Sequence, residues 1–450
     1  MSITETLASH LALIRYDMLS EKAIQKARHC LIDYLGACWN AQTDSLTHIY
    51  RRLASDLGGE GDYHIFGSGK TSIGFAALAN GAIGHIKEVD DLHRGSTMHV
   101  GITVFPALLA VAEQIGFNGV RFIESTVAGY EAAIRIGEAL GREHYKIFHT
   151  TGTAGTFGAA VAVGKYLGLT AEQLVDALGH AGTQAAGLWQ FLSDGDLQAK
   201  ALHPGKAAQN GLIAAWLSKL GVSGARNILE GEKGFARIAA PKADLAGVVE
   251  GLGNGKFKIE DICFKNYPTC GQTHSMLDAL RMIMRREHLT GIKIKSVEAR
   301  VYQQALDLCS NRNPINIAQG RFSLPYCMGI MLAKGDLTFS DMNEELLSDL
   351  LVRAELEKVS MKYDPEVDAL FPKTRPCVVV VTTNDNKRFE MKNLYRRGDP
   401  ELPMSDEDVR SKFVSLTQQT LGRAVQEKIL KWALNLENEA EVCQAVFSGC

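Results

Sequence analysis

No apolar run in this chain approaches the roughly 18 residues of a membrane span. The opening MSITETLASHLALIRYDM has no basic stretch followed by an uninterrupted apolar core, so no secretory signal is expected. Neither sign of charge dominates. The 48 Lys+Arg and 51 Asp+Glu leave a formal net charge of -3, and no basic stripe that would recruit nucleic acid. The cysteines at 30, 38, 263, 270, 309, 327, 377, 443 and 450 are scattered, odd in number and without a C-x-x-C pair. That pattern excludes a zinc ribbon or an ordinary iron–sulfur run and fits a reduced, cytoplasmic setting. H-E-x-x-H, EF-hand and G-x-x-x-x-G-K-[ST] spacings are missing, as are short-period repeats and low-complexity linkers.

What remains is a chain of 450 residues, 46% apolar and 22% charged. That length exceeds what one hydrophobic core usually supports, so two domains are expected. The first part reads as successive helices. In SEKAIQKARHCLIDYLGACW, apolar residues recur at three- and four-residue steps behind Ser20, a predicted N-cap. RFIESTVAGYEAAIRIGEALG repeats the pattern and predicts a stop at Gly141. TAEQLVDALGHAG opens with the capping-box spacing Thr170–Gln173. The Ala/Gly-rich GTAGTFGAAVAVGKYLG predicts a helix buried closely among others. After about residue 265 strands enter. KSVEARVY and EKVSMKYD alternate with period two, and CVVVVTTNDNKRFEMKN predicts a hairpin turning at Asn384–Asp385–Asn386. Helical patterns lie between them, SMLDALRMIMRREH and MNEELLSDLLVRAEL, and helix resumes after 400. The expectation is a mainly α protein. A large helical domain, 1–266 with 400–450, would be built from both chain ends around an inserted α+β lid, 267–399.

Five segments concentrate reactive side chains. EVDDLHRGSTMHVG, residues 88–101, holds Glu88, Asp90, Asp91, His93, Arg94 and His99 at a helix–loop–helix junction. Such a loop is a solvated acidic connection, a divalent-metal site or one wall of a substrate pocket. REHYKIFHTTGTAGTFG sets Tyr145 and His149 four apart, on one face if helical. A tyrosine there is more often a packing residue. DLQAKALHPGKAAQNG surrounds Lys200 with small apolar residues. The choice is between a snorkelling surface lysine and a buried one whose lowered pKa suits a base. FKNYPTCGQTH offers Lys265, Tyr267, Cys270 and His274 where the chain changes character, and GRFSLPYCMG offers Arg321, Ser323 and Tyr326.

In this order, and together with ARHCLIDYLG, the five segments resemble the MmgE/PrpD family over nearly the whole chain. Its members include 2-methylcitrate dehydratase, cis-aconitate decarboxylase and iminodisuccinate epimerase. The resemblance implies an all-α domain with an α+β lid, a pocket between the domains and a cofactor-free, metal-free homodimer that acts on a small di- or tricarboxylate. The lyase branches carry an Asp-x-x-Asp-Thr-like arrangement at the first segment, where this chain has Glu88 and Leu92. They also place a histidine where it has Cys270. E-V-D-D-L-H-R-G looks more like the iminodisuccinate epimerase branch. That likeness implies Tyr145 and Lys200 as the acid/base pair, with Arg94, His99, His149, Lys265, His274 and Tyr326 lining the pocket and Glu88, Asp90, Asp91 and His93 in support. The expectation is a cofactor-independent epimerase that removes and returns a proton beside a carboxylate; a lyase of the same family is the alternative. Tyrosine and lysine both have reference pKa values near 10, so one of them must be lowered to act as a base.

Overall fold

The computed structural model describes residues 1–194, 198–371 and 373–449. The chain is mainly α, with two small sheets. It divides into two compact units, Met1–Cys263 with Asp406–Cys450, and Phe264–Ser405.

The first unit is built from helices with local start signals. Its longer helices include α1 (Ile3–Leu13), α2 (Glu21–Asn40), α3 (Ser45–Gly58), α4 (Ile73–His85), α5 (Gly101–Ile115), α6 (Gly119–Tyr145), α7 (Thr150–Tyr166), α8 (Ala171–Gly182) and α9 (Leu202–Lys219). The Ser20 side chain accepts the Ala23 N–H at the start of α2, and Thr170 with Gln173 forms a reciprocal capping box on α8. Gly141 takes φ 70°, a backbone region that favours glycine, and breaks α6 as expected. The helix does not stop there. One further turn follows the break and carries Tyr145.

Helix α7 is buried along almost its whole length. Its small residues set how near its neighbours come. A Cβ at Gly158 would lie 2.6 Å from Ala133 Cβ and 2.9 Å from Gly129 O, both on α6. Glycine at these crossings lets the α6 and α7 backbones approach closely.

The second unit holds a four-stranded sheet of β1 (Ile294–Val301), β2 (Val359–Tyr363), β3 (Cys377–Thr383) and β4 (Arg388–Asn393), in the order β2-β1-β3-β4. The β1–β2 pair is parallel and the others are antiparallel. Central β3 is apolar and buried through Cys377–Val381, whereas edge strand β4 alternates in exposure, as one-sided burial requires. The turn falls at Asn384–Asp385–Asn386, with Asn386 at φ 60°. The helix His274–Arg286 packs on β3 and β4. MNEELLSDLLVRAEL is not one helix. It splits into Glu344–Leu347 and Leu350–Leu356 because Asp349 leaves helical geometry and its side chain caps the Val352 N–H at 2.9 Å. Among the described residues no helix is long and apolar enough to cross a membrane.

Candidate active site

Within the first unit, four imidazoles and one ammonium converge. The loop between α4 and α5 is pinned by Leu92 pairing with Cys263 and by His93 pairing with Met98. Two adjacent aspartates on it do different work. Asp91 is buried; it accepts the Gly101 N–H at 3.0 Å, where α5 begins, and the Tyr130 hydroxyl at 2.6 Å. Asp90 faces two histidines instead. Its oxygens lie 3.1 Å from His85 Nδ1 and 2.8 Å from His99 Nδ1. Burial opposes the charge on Asp90, but the imidazoles of His99 and His85 outweigh it and hold the carboxyl well below its usual range. An ionised carboxylate only accepts, so the His85 Nδ1–H donates to it, while His99 Nδ1 faces it at ion-pair distance.

His85 is 1% exposed, and its Nε2 has no hydrogen-bond partner in the structure. Its ring lies 4.7 Å from that of His99 and 5.8 Å from that of His149. His149 precedes α7, fixed by its N–H donating to Gly187 O at 2.8 Å. His149 Nδ1 lies 3.2 Å from His203 Nδ1, and its ring stacks obliquely on Trp189 at 4.5 Å. The Trp189 indole N–H is buried without a partner among the described residues. Tyr145 meets the Trp189 ring edge-on at 5.4 Å, so the extra turn of α6 brings it to this cluster.

Lys200 precedes α9, and its Nζ lies 2.6 Å from Glu88 Oε2. Its segment begins at Asp196–Leu197, outside the described residues. Burial alone would lower the ammonium pKa. The Glu88 carboxylate, with Tyr145 and Asp90 adding, more than offsets burial, and the net shift is upward. Of the two sequence alternatives for Lys200, a snorkelling surface lysine or a buried one with a lowered pKa, neither describes it. The side chain is largely buried yet shifted upward, because the counter-charge was invisible from the lysine's apolar sequence neighbours. Burial and the Lys200 charge push the histidines the other way. His85 and His203 fall to about 4, and His149 falls well below its usual value. Near neutrality the three are uncharged hydrogen-bonding groups around one charged ammonium.

His93 belongs to the loop rather than to this group. Its Nδ1 accepts the Ser96 N–H at 3.1 Å, and its Nε2 faces Glu138 at 3.8 Å. Half-buried Arg94 follows it on the same turn. Lys265, His274 and Tyr326 lie in the second unit. His274 is buried, and burial with the charges of Arg396 and Lys265 drives its pKa well down. Arg396 is held by Asp399, Nη2 to Oδ1 at 2.6 Å. Tyr326 is fully buried and its hydroxyl has no partner in the structure. Ser323 caps the helix Leu324–Lys334. Tyr267 is structural: its hydroxyl donates to Asp278 at 2.8 Å and Arg281 lies 4.5 Å over its ring.

Sequence reasoning missed His85, His203, Trp189 and Arg396. His203 had a signal, three residues after Lys200 and so on the same helical face. His85 ends an apolar helix and reads as an ordinary buried residue.

His85, Asp90 and His99 form a trio whose ligand-type atoms all lie within 4.8 Å of one another. Asp90 sits at hydrogen-bonding distance from both imidazoles, so the trio reads as an internal network that orients two rings. The arrangement suits proton movement: one charged donor, three neutral imidazoles and unpartnered buried polar atoms among the described residues.

The fold is that of a mainly helical protein with a cluster of ionisable side chains in its first unit. Residues 5–247 match the MmgE/PrpD N-terminal domain and residues 267–438 the MmgE/PrpD C-terminal domain, and the chain belongs to this family. It is similar to cis-aconitate decarboxylase from Homo sapiens, 27% identical over 97% of this chain and 92% of that protein. It is similar also to cis-aconitate decarboxylase from Mus musculus, at 24% over 97% and 91%. The enzyme of the same name from Aspergillus terreus (strain NIH 2624 / FGSC A1156) is 26% identical over 97% and 92%.

Proposed function

We propose that this chain is a lyase that removes carbon dioxide from a small unsaturated polycarboxylate, with cis-aconitate the first substrate to test. The observation that carries the reading is Lys200, an ammonium kept charged amid imidazoles kept neutral. The decarboxylase names of the relatives support the same choice over epimerisation.

In such a reaction the bond between carbon and a carboxylate breaks and carbon dioxide leaves. The bond's electron pair shifts into the adjacent double bond and remaining carboxylates, and a carbon at the far end of that system takes a proton. Lys200 supplies the proton and regains it from water. The unpartnered Trp189 N–H is a donor for the substrate's remaining carboxylate charge. Asp90 keeps His85 and His99 oriented.

The second reading is epimerisation of an iminodisuccinate-like dicarboxylate. It is favoured by Glu88, Leu92 and Cys270 standing where the lyase branches differ, and by Tyr145 bearing on Lys200.

Separate incubations with cis-aconitate and with iminodisuccinate in heavy water distinguish the readings. Carbon dioxide and an unsaturated dicarboxylate carrying one new carbon-bound deuterium support the lyase. Deuterium wash-in with inversion of iminodisuccinate, and no fragment lost, supports the epimerase. A protein that produces neither change overturns both.

A further inference from the structure

We propose that Glu88 is a positioning residue that holds Lys200 in place as a charged proton donor, an inference that rests on the proposed reaction at Lys200. Three observations carry it. The Glu88–Lys200 contact is a 2.6 Å ion pair whose side chains are only 26% and 14% exposed, so solvent screens it weakly. Glu88 adopts φ 53°, a left-handed conformation that a non-glycine residue keeps only when its surroundings impose it. The surroundings do impose it, because both chain neighbours are tied. Lys87 Nζ binds Asp44 at 2.6 Å, and Val89 O accepts Lys412 Nζ at 2.8 Å. The Glu88 N–H donates to His85 O at 3.1 Å.

The other groups bearing on Lys200 do not substitute for this carboxylate. Among the described residues they include Tyr145, Asp90, His85, His149 and His203. Asp90 is engaged by two imidazoles, and three of the histidines are neutral. Among the described residues, Glu88 is the carboxylate in direct contact with the ammonium. Without it, burial is the dominant influence and favours the uncharged amine.

The test uses the full chain and the variants Glu88→Gln, Glu88→Asn and Glu88→Asp. Asparagine tolerates the left-handed backbone and keeps the fold testable if glutamine does not. Lysine side-chain 15N resonances are followed against pH without substrate, with Lys200 assigned from Lys200→Arg. In Glu88→Gln and Glu88→Asn, Lys200 is expected to lose its proton at least about one pH unit lower than in the parent. In Glu88→Asp most of the parent behaviour returns. The alkaline limb of kcat/KM for carbon dioxide release is expected to move with it, with kcat falling more than KM rises. An unchanged Lys200 titration in the folded neutral variants overturns the proposal. So does an alkaline limb that shifts as far in Glu88→Asp as in Glu88→Gln, since that reports a merely structural side chain. If cis-aconitate is not turned over, the decarboxylase reading fails by itself, while the substrate-free titration still decides the ion pair.

Discussion

Replacing His93 by asparagine should flatten the acid side of this protein's stability curve. His93 anchors the turn that follows Glu88, Asp90 and Asp91. Its own N–H donates to Met98 O at 2.8 Å, and its Nδ1 accepts from Ser96. It is 4% exposed. Burial is the largest influence on its pKa and lowers it; Lys258 and Arg94 add to the lowering, while Glu138 and Asp261 oppose it, and the result is about 4. In the unfolded chain the imidazole titrates near 6.5. Between those values the unfolded state binds a proton that the folded state refuses, so stability falls as pH drops from about 6.5 to about 4. One such group costs roughly 2 kcal/mol at pH 5 and roughly 3 kcal/mol once pH reaches the folded value. Asparagine retains an oxygen acceptor for the Ser96 N–H and has no titration in this range. Urea unfolding followed by far-ultraviolet circular dichroism at pH 7 and pH 5 measures the difference. The parent should lose about 2 kcal/mol more than His93→Asn over that interval. Equal losses would refute the reasoning, as would a His93 13Cε1 resonance that titrates near 6.5 in the folded protein.

Lys200→Ala should lower turnover by at least about 10²-fold, and Tyr145→Phe by a similar factor if the phenol transfers a proton; unchanged kcat in either variant removes that residue from the chemistry. Lys412 and Asp33 are 6% and 3% exposed and form a 2.6 Å ion pair beneath the active-site loop. Burial lifts the Asp33 pKa to about 6 even against the opposing pull of Lys412. Lys412→Met leaves that carboxylate buried without its partner and should cost about 3–5 kcal/mol in urea unfolding at neutral pH. A loss below about 1 kcal/mol would show the pair to be dispensable.

Much of the secondary structure was legible because its causes are local. Ser20 and the Thr170–Gln173 pair cap their own helices within three residues, and the Asn384–Asp385–Asn386 turn needs only its own left-handed preference. The division of MNEELLSDLLVRAEL was also local, written in Asp349, whose cap the helical spacing of its apolar residues hid. The site was legible in part. Tyr145, His149 and Lys200 stand in short runs of mixed chemistry and reach one cluster, whereas His85 and Trp189 look like packing residues until their neighbours are known.

The sequence alone therefore determined where helices begin, where strands alternate and which segments carry reactive groups, because capping, periodicity and turn preference act over a few residues. Only the tertiary structure decided what those groups are. Lys200 is a charged ammonium rather than a neutral base because Glu88, from a distant loop, lies 2.6 Å away. Asp90 and Asp91, adjacent in the chain, part company because one meets two imidazoles and the other the start of a helix. Protonation state depends on burial and on charges within a few ångströms, and both are properties of the folded chain rather than of any short stretch of it.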